Sequence, residues 1–178
     1  MSGGARRAVF LDRDGVINRA IVRDGKPYAA MSAEELEILP GVPEALQRLR
    51  DAGYLNIVVT NQPDVGAGKL ERAVVEAMHA RLRKELAIDE VKVCYHVEAD
   101  GCDCRKPKPG MILEAARQHG VDLGESFLVG DRWRDVAAGQ RAGCKSFFID
   151  YRYTEKVPDK PYVAVNSLPQ AATIILQS

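Results

Sequence analysis

The chain has 178 residues, with 25 acidic and 25 basic residues, and 46% of its residues are hydrophobic. This balance excludes a global charge that would attract nucleic acid or anionic lipid, and the composition is ordinary for a globular protein. No apolar run approaches the roughly 20 residues that span a bilayer, and the N-terminus lacks the apolar region of a signal peptide. We therefore expect a cytoplasmic, monomeric protein of one domain, residues 1–178, without nucleic-acid or membrane partners.

Apolar runs and helical spacing alternate along the chain. Short apolar runs predict strands at 8–11, 55–59, 91–94, 127–129 and 146–149. Apolar residues at helical spacing predict helices at 43–52, 71–86, 111–119, 135–142 and 168–176. Residues 151–165 have neither pattern and are predicted to be irregular. Alternating strands and helices indicate a mainly parallel sheet with helices on both faces, hence a three-layer α/β/α fold.

Polar residues stand at the ends of three predicted strands. Asp12 follows the first strand, Thr60 follows the second, and Asp131 follows the fourth. In parallel sheets, ligands bind at the carboxyl ends of the strands. The three residues therefore predict a binding site at one edge of the sheet.

Two carboxylates, Asp12 and Asp14, lie directly after the first strand, and Gly15 lets the chain turn away sharply. One carboxylate can attack phosphorus, while the other gives a proton to the leaving oxygen and later takes one from water. A turn rich in Asp and Gly is the plainer interpretation of this segment alone. The residues around it decide between the two.

Three further segments supply what phosphoryl transfer requires. Thr60 and Asn61 offer a hydroxyl and backbone N–H groups for phosphate oxygens, and Arg105 and Lys106 offer positive charge. Asp131 can complete an oxygen-ligand Mg²⁺ site with Asp12 and the backbone carbonyl of the second aspartate. Positioning and charge neutralisation are the main demands of this chemistry.

These segments, DxDGV, VTN, KP and GD followed by a second aspartate, resemble the four motifs of haloacid dehalogenase superfamily phosphatases. The resemblance covers nearly the whole chain and implies a Rossmann-like core. It implies Asp12 as nucleophile and Asp14 as acid/base, with Thr60 and Lys106 as phosphate ligands. It also implies Mg²⁺ ligation by both aspartates and by Asp131.

A second cluster precedes the basic pair. Cys94, His96, Cys102 and Cys104 form a Cys₃His set within the loop 94–104, which suits a closed tetrahedral Zn²⁺ site. Because four protein ligands leave no position open for water, we expect a structural zinc that fixes the loop. A redox CxC pair or a catalytic zinc is the alternative. Cys144 stands apart and is interpreted as a buried filler.

A zinc loop of this kind resembles a narrower branch of the superfamily, which contains the D-glycero-D-manno-heptose 1,7-bisphosphate phosphatases and the histidinol-phosphate phosphatases and lacks a large cap domain. The segments 59–62, 66–69, 106–111 and 166–169 are similar to those of the heptose enzymes. The resemblance implies a small phosphorylated substrate and removal of the heptose C7 phosphate.

Other substrates and chemistries stay open at this point. The five-residue gap between His96 and Cys102 is similar to the loop of the histidinol-phosphate enzymes, and Ala67 stands where heptose enzymes commonly carry Arg. Histidinol phosphate or another small phosphate ester is therefore an alternative substrate. A phosphotransferase that uses a sugar hydroxyl in place of water is an alternative chemistry.

Overall fold

The computed structural model describes residues 3–178. Eight strands are present in this range: β1 Arg7–Leu11, β2 Ile21–Arg23, β3 Lys26–Tyr28, β4 Tyr54–Asn61, β5 Glu90–Cys94, β6 Phe127–Gly130, β7 Lys145–Ile149 and β8 Val163–Val165. Six α-helices accompany them: α1 Val42–Asp51, α2 Pro63–Gly66, α3 Arg72–Glu85, α4 Gly110–His119, α5 Trp133–Ala142 and α6 Leu168–Leu176.

Six strands form one sheet in the order β5-β4-β1-β6-β7-β8, and every neighbouring pair is parallel. After β1 the chain builds the sheet outward through β4 to β5, then returns to the other side of β1 with β6. The strand order therefore reverses at β1. A crevice outside the carboxyl ends of the strands forms at such a point.

Both faces of the sheet are covered by helices, so the strands bury side chains in both directions. Along β1, Val9 and Leu11 belong to one hydrophobic cluster, whereas Ala8 and Phe10 belong to the other. The first cluster contains residues of α1, α3 and α6, and the second contains residues of α4 and α5. The predicted three-layer α/β/α sandwich with a mainly parallel sheet is confirmed.

The prediction of residues 151–165 as wholly irregular is wrong at its end, where β8 pairs in parallel with β7. A three-residue strand carries too little alternation to be recognised, and its pairing with β7 defines it. The antiparallel hairpin β2–β3 and the short helix α2 were likewise not predicted. Helix α5 begins two residues earlier than expected, at Trp133.

The connection between β1 and α1 contains only the hairpin β2–β3 as regular structure. Within residues 3–178 no separate cap domain covers the sheet edge, in agreement with the expectation. None of the helices in this range combines the length and apolar character needed to cross a membrane. The carboxyl edge of the sheet is therefore bordered by short segments, namely the hairpin β2–β3, the helix α2, the start of α5 and loops.

Candidate active site

The carboxyl ends of β1, β4 and β6 lie side by side, because β4 and β6 both pair in parallel with β1. A cavity of about 310 Å³ opens at this edge. Among the residues that line it are six identified from the sequence: Asp12, Asp14, Asn61, Arg105, Lys106 and Asp131. Of the three strand-end residues named from the sequence, Asp12 and Asp131 line the cavity and Thr60 does not.

Lys106 lies at the floor of the cavity and is almost completely buried. Its Nζ donates to Asp12 Oδ1 at 2.9 Å, to Asp135 Oδ1 at 2.6 Å and to the Val59 carbonyl at 2.8 Å. A buried ammonium with three oxygen partners is held in one position. Lys106 therefore fixes the orientation of the Asp12 carboxylate.

Two residues expected to bind substrate, Thr60 and Asn61, form hydrogen bonds with neighbouring protein groups in this structure. Asn61 exchanges two hydrogen bonds with the backbone of Lys106, at 3.1 and 3.0 Å, and so tethers the loop that carries this lysine. Thr60 is fully buried, and its hydroxyl accepts a hydrogen bond from Gln62 at 2.9 Å. Asn61 lines the cavity, whereas the buried Thr60 is not part of its lining.

Three carboxylates crowd the same buried space, since ligand oxygens of Asp12, Asp131 and Asp135 all lie within 4.8 Å of one another. Burial and the charge of Asp135 raise the pKa of Asp12 to about 6, although Lys106 acts in the opposite direction. Burial and the charges of Asp12 and Asp135 raise the pKa of Asp131 well above its usual range. A cation placed among these oxygens would relieve the repulsion.

The residues present fit a hard divalent cation. The oxygens of Asp135 already accept hydrogen bonds from Lys106 and from two backbone N–H groups, that of Asp131 at 3.1 Å and that of Arg132 at 3.0 Å. Oδ1 of Asp131, by contrast, is buried and has no hydrogen-bond partner within residues 3–178. An unpartnered buried carboxylate oxygen beside a second carboxylate is a suitable ligand for Mg²⁺.

Gly15 makes this arrangement possible. Its φ of 90° lies in the left-handed region, and a Cβ atom at this position would overlap the carboxylate of Asp131. The residue was expected to turn the chain, and it also leaves the space that Asp131 occupies. Only glycine satisfies both requirements.

Asp14 faces a dense set of donors. Arg13 donates to both carboxylate oxygens, at 3.2 and 3.0 Å, and Asn18 and Gln62 each add a hydrogen bond of 3.0 Å. Burial alone would raise the pKa of Asp14, but the Arg13 charge and these hydrogen bonds hold it below its usual value. Arg13 is itself fully buried and donates to His79 Nε2 at 3.1 Å when that nitrogen carries the lone pair.

The predicted zinc ligands come together after β5. The Sγ atom of Cys102 lies 3.6 Å from the sulfurs of Cys94 and Cys104, and His96 Nδ1 lies 3.5 and 3.3 Å from these two sulfurs. One tetrahedral ion with Zn–S bonds of about 2.3 Å requires sulfurs about 3.8 Å apart. All four cysteines of the chain are free, and Cys144 lies outside the cluster. The Cys94 and Cys104 sulfurs are only 2.9 Å apart and would have to separate by about 1 Å to reach this spacing. The Cys₃His set is thus gathered around one point, where it could hold one ion.

Several groups at the site have no signal in the sequence. Tyr153 donates to Asp131 Oδ2 at 2.7 Å, and Glu155 forms an ion pair with Arg132 at 2.8 Å. Both lie in the irregular segment after β7, more than 20 residues from their partners. Gln62 belongs to a segment already noted, but its bond to Asp14 depends on the tertiary structure. No local pattern could have assigned these roles.

Positive charge remains unpaired along the cavity wall. Lys26, Arg105 and Arg134 all line the cavity, and within the described range none of them forms a salt bridge. Arg105 makes one weak hydrogen bond to the His96 carbonyl, at 3.4 Å. Burial and the charges of Arg132 and Arg105 lower the pKa of Arg134. Such a wall favours an anionic ligand.

Comparison with known proteins identifies similar sequences and structures. A model of the family described as haloacid dehalogenase-like hydrolase matches residues 14–143. The D-glycero-beta-D-manno-heptose-1,7-bisphosphate 7-phosphatase of Pseudomonas aeruginosa is 40% identical over 150 residues, which cover 82% of each chain. The D-glycero-alpha-D-manno-heptose-1,7-bisphosphate 7-phosphatase of Mycobacterium bovis is 40% identical over 139 residues, covering 75% of this chain and 71% of the relative.

Among solved structures, D,D-heptose 1,7-bisphosphate phosphatase from B. bronchiseptica is similar, with a TM-score of 0.82 and 31% identity. The match covers 96% of this chain and 98% of that chain. That protein was crystallised with magnesium and phosphate. The similarity in sequence and in fold thus extends over most of the chain.

Proposed function

This chain belongs to the haloacid dehalogenase-like hydrolase family, and we propose that it is a magnesium-dependent phosphatase that acts through a phospho-aspartate on Asp12. We further propose that it removes the 7-phosphate of D-glycero-D-manno-heptose 1,7-bisphosphate. The observation that carries the proposal is the Asp12 carboxylate, held by Lys106 beside the unpartnered oxygen of Asp131 at the carboxyl edge of the sheet.

In the first half of the reaction, a carboxylate oxygen of Asp12 attacks phosphorus, and the bond from phosphorus to the sugar oxygen breaks. The leaving oxygen takes a proton from the carboxyl group of Asp14 and departs as an alcohol. Lys106 orients Asp12 and contributes positive charge close to the transferring group. The products of this half are an acyl phosphate on Asp12 and ionised Asp14.

In the second half, Asp14 takes a proton from water, and the resulting hydroxide attacks phosphorus. The bond from phosphorus to the Asp12 oxygen breaks, which releases phosphate and restores the Asp12 carboxylate. Hydrogen bonds from Arg13, Asn18 and Gln62 favour the ionised carboxylate, which suits this basic role. The acidic role in the first half requires Asp14 to carry a proton. A nearby phosphate dianion favours that proton by repulsion between like charges.

Mg²⁺, bound by Asp12, Asp131 and the backbone carbonyl of Asp14, would neutralise negative charge on the transferring phosphoryl group. Support for these ligands comes from the orphaned Oδ1 of Asp131 and from the crowding of carboxylates around it. Asp135 acts through Lys106 and the backbone, so it orients the site without ligating the cation.

The unpaired cations Lys26, Arg105 and Arg134 support a substrate with a second phosphate. Histidinol phosphate carries an amine and an imidazole at the end remote from its phosphate, and a cationic wall repels such a group. A bisphosphate places a second dianion there. The three unpaired cations therefore favour the heptose bisphosphate over histidinol phosphate.

We propose Zn²⁺ as the ion of the Cys₃His cluster, with a structural role. The four protein ligands fill a tetrahedral shell, and the last of them, Cys104, directly precedes Arg105 and Lys106. Zinc would thus hold the loop that delivers two cations to the cavity.

Steady-state phosphate release tests the proposal, with Mg²⁺ present and with heptose 1,7-bisphosphate and L-histidinol phosphate as parallel substrates. We expect kcat/KM to favour the heptose by about 100-fold or more, because the site pairs a second phosphate and rejects a cation. Both anomers of the bisphosphate are assayed, since the relatives above are named for both. Equal or higher kcat/KM with histidinol phosphate would contradict the substrate assignment.

A charge-removal variant tests the basis of that preference. Arg134→Gln should raise KM for the bisphosphate about tenfold, and it should leave KM for heptose 7-phosphate within about twofold. Arg117→Gln, on helix α4 and remote from the cavity lining, is the matched control. An equal rise in KM for the bisphosphate and for heptose 7-phosphate would show that Arg134 does not bind the second phosphate.

A further inference from the structure

The segment between β7 and β8 contacts the loops that follow β1 and β6 and the hairpin β2–β3. We call residues 151–155 the tyrosine strap. The Tyr151 hydroxyl donates to the Gly15 carbonyl at 2.8 Å, and the backbone N–H of Thr154 donates to the Gly25 carbonyl at 2.7 Å. The strap is therefore anchored to the loop after β1 and to the hairpin β2–β3.

A second pair of contacts anchors the strap to the loop after β6. Glu155 accepts hydrogen bonds from the Arg132 guanidinium at 3.1 and 2.8 Å, and Tyr153 donates to Asp131 Oδ2 at 2.7 Å. Only the Tyr153 contact reaches a proposed metal ligand. The Glu155 pair and the Tyr151 contact hold the strap independently of the Tyr153 hydroxyl.

The two oxygens of Asp131 have different surroundings. Oδ2 receives the Tyr153 hydroxyl and lies against Gly15, while Oδ1 is buried without a partner in residues 3–178. The Tyr153 hydroxyl thus distinguishes the two oxygens and resists rotation of the carboxylate. Groups that orient a metal ligand in this way commonly change metal affinity by 10- to 100-fold.

We infer that Tyr153 is a positioning residue for Mg²⁺ binding: its hydroxyl holds Oδ2 of Asp131 so that Oδ1 is presented to the cation. This inference rests on the magnesium site of the proposed function. It assigns a role to the tyrosine strap, which is distant in sequence from all four motifs.

The test is isothermal titration of the full-length, zinc-loaded protein with Mg²⁺, comparing wild type with Tyr153→Phe and Tyr151→Phe. Phenylalanine keeps the ring that packs against the other tyrosine at 5.5 Å between centroids and removes only the hydroxyl. Tyr151→Phe is the matched control, because it loses a strap hydrogen bond to a backbone carbonyl and leaves Asp131 untouched.

We expect Tyr153→Phe to raise the Kd for Mg²⁺ at least about tenfold and Tyr151→Phe to change it by less than about threefold. We also expect the phosphatase kcat of Tyr153→Phe to recover at saturating Mg²⁺, because the residue acts through the ligand. A wild-type Kd in Tyr153→Phe would overturn the inference. An equal loss in both variants would overturn it too, since anchoring of the strap would then be the cause.

Failure of the proposed function is distinguishable from failure of this inference. Absence of Mg²⁺ binding by the wild-type protein would overturn both. Mg²⁺ binding without phosphate release from any substrate would overturn the proposed function alone, and the comparison of the two tyrosine variants would still decide the role of Tyr153.

Discussion

At the scale of single residues, the site depends on charges that are buried only because they are paired. Lys106 contacts both Asp12 and Asp135, and Arg13 contacts Asp14 through two hydrogen bonds. Removing one member of such a pair leaves an uncompensated buried charge, whose cost is typically several kcal/mol. The proposed nucleophile, Asp12, and the proposed acid/base, Asp14, are therefore oriented by separate cations.

The nucleophile gives the most direct prediction. Asp12→Asn should reduce phosphate release at least about 1,000-fold, because an amide cannot form the acyl phosphate. Its melting temperature should be retained, because Lys106 keeps its buried ion pair with Asp135 and the change removes one of three mutually repelling carboxylates. Asp159→Asn, at an exposed position, is the control and should keep wild-type activity. Activity in Asp12→Asn above about a tenth of wild type would exclude the covalent mechanism.

Alanine substitutions at two glycines with the same backbone conformation distinguish the cost of backbone strain from the effect of a steric clash with Asp131. Gly15 and Gly53 both have a φ of 90°, but a Cβ would overlap Asp131 only at Gly15 and would meet nothing within 4 Å at Gly53. Gly53→Ala should cost about 1–2 kcal/mol of unfolding free energy and leave Mg²⁺ affinity unchanged. Gly15→Ala should have the same strain cost and, in addition, a large loss of Mg²⁺ affinity, because its Cβ overlaps Asp131. Urea unfolding and Mg²⁺ titration measure the two effects, and equal behaviour would refute the packing argument.

At the scale of elements, the loop 94–104, which carries the proposed zinc ligands, links strand β5 to helix α4. Cys94 is the last residue of β5, and the other cluster cysteines lie in the connection that also carries Arg105 and Lys106. Lys108 donates to the Cys102 carbonyl at 2.8 Å and ties the far side of the loop. An ion in this cluster would restrict a connection that otherwise has little regular structure.

Loss of one ligand should therefore reduce metal content and stability together. Cys102→Ser should lower bound zinc to a small fraction of one equivalent and lower the melting temperature by several degrees, by analogy with other structural sites. Cys144→Ser changes a buried cysteine outside the cluster, so it should retain full zinc. Zinc analysis and thermal unfolding provide the measurements; an unchanged melting temperature in Cys102→Ser would contradict a structural role.

At the scale of the whole molecule, the titratable side chain of His79 connects helix α3 to the candidate active site through Arg13. His79 of α3 is buried against Arg13, and burial together with the Arg13 charge lowers its pKa to about 4. The folded protein therefore keeps His79 neutral where the unfolded chain would protonate it. Above pH 6.5 the neutral His79 costs no stability, because it is neutral in the unfolded chain too. As the pH falls from 6.5 toward 4, the unfolded chain binds a proton that the folded protein does not, and the free energy of unfolding decreases.

The difference in unfolding free energy between wild type and His79→Gln should reveal this dependence. Between pH 6.5 and 4 the wild type should lose about 1.4 kcal/mol per pH unit relative to the variant. Asp12 and Asp131, whose pKa values are raised, act in the opposite direction in this range, but they are common to both proteins. Urea unfolding at several pH values gives the difference, and a constant difference would refute the assignment.

The order and type of the central elements were determined by the sequence itself. Continuous apolar runs followed by helical spacing specify a parallel sheet, because strands buried on both faces need apolar side chains in both directions. The two candidate metal clusters were also predictable, since three cysteines and His96 lie within eleven residues and Asp12 and Asp131 end predicted strands. In both cases the signal is local or follows from strand direction.

Only the tertiary structure decided which groups surround these residues. Tyr153 reaches Asp131 from an irregular segment, His79 reaches Arg13 from a helix 66 residues away, and strand β8 exists through its pairing with β7. Such contacts join segments that carry no periodic pattern or that lie far apart in the chain. Their geometry depends on packing, and packing is a property of the assembled layers that local sequence does not encode.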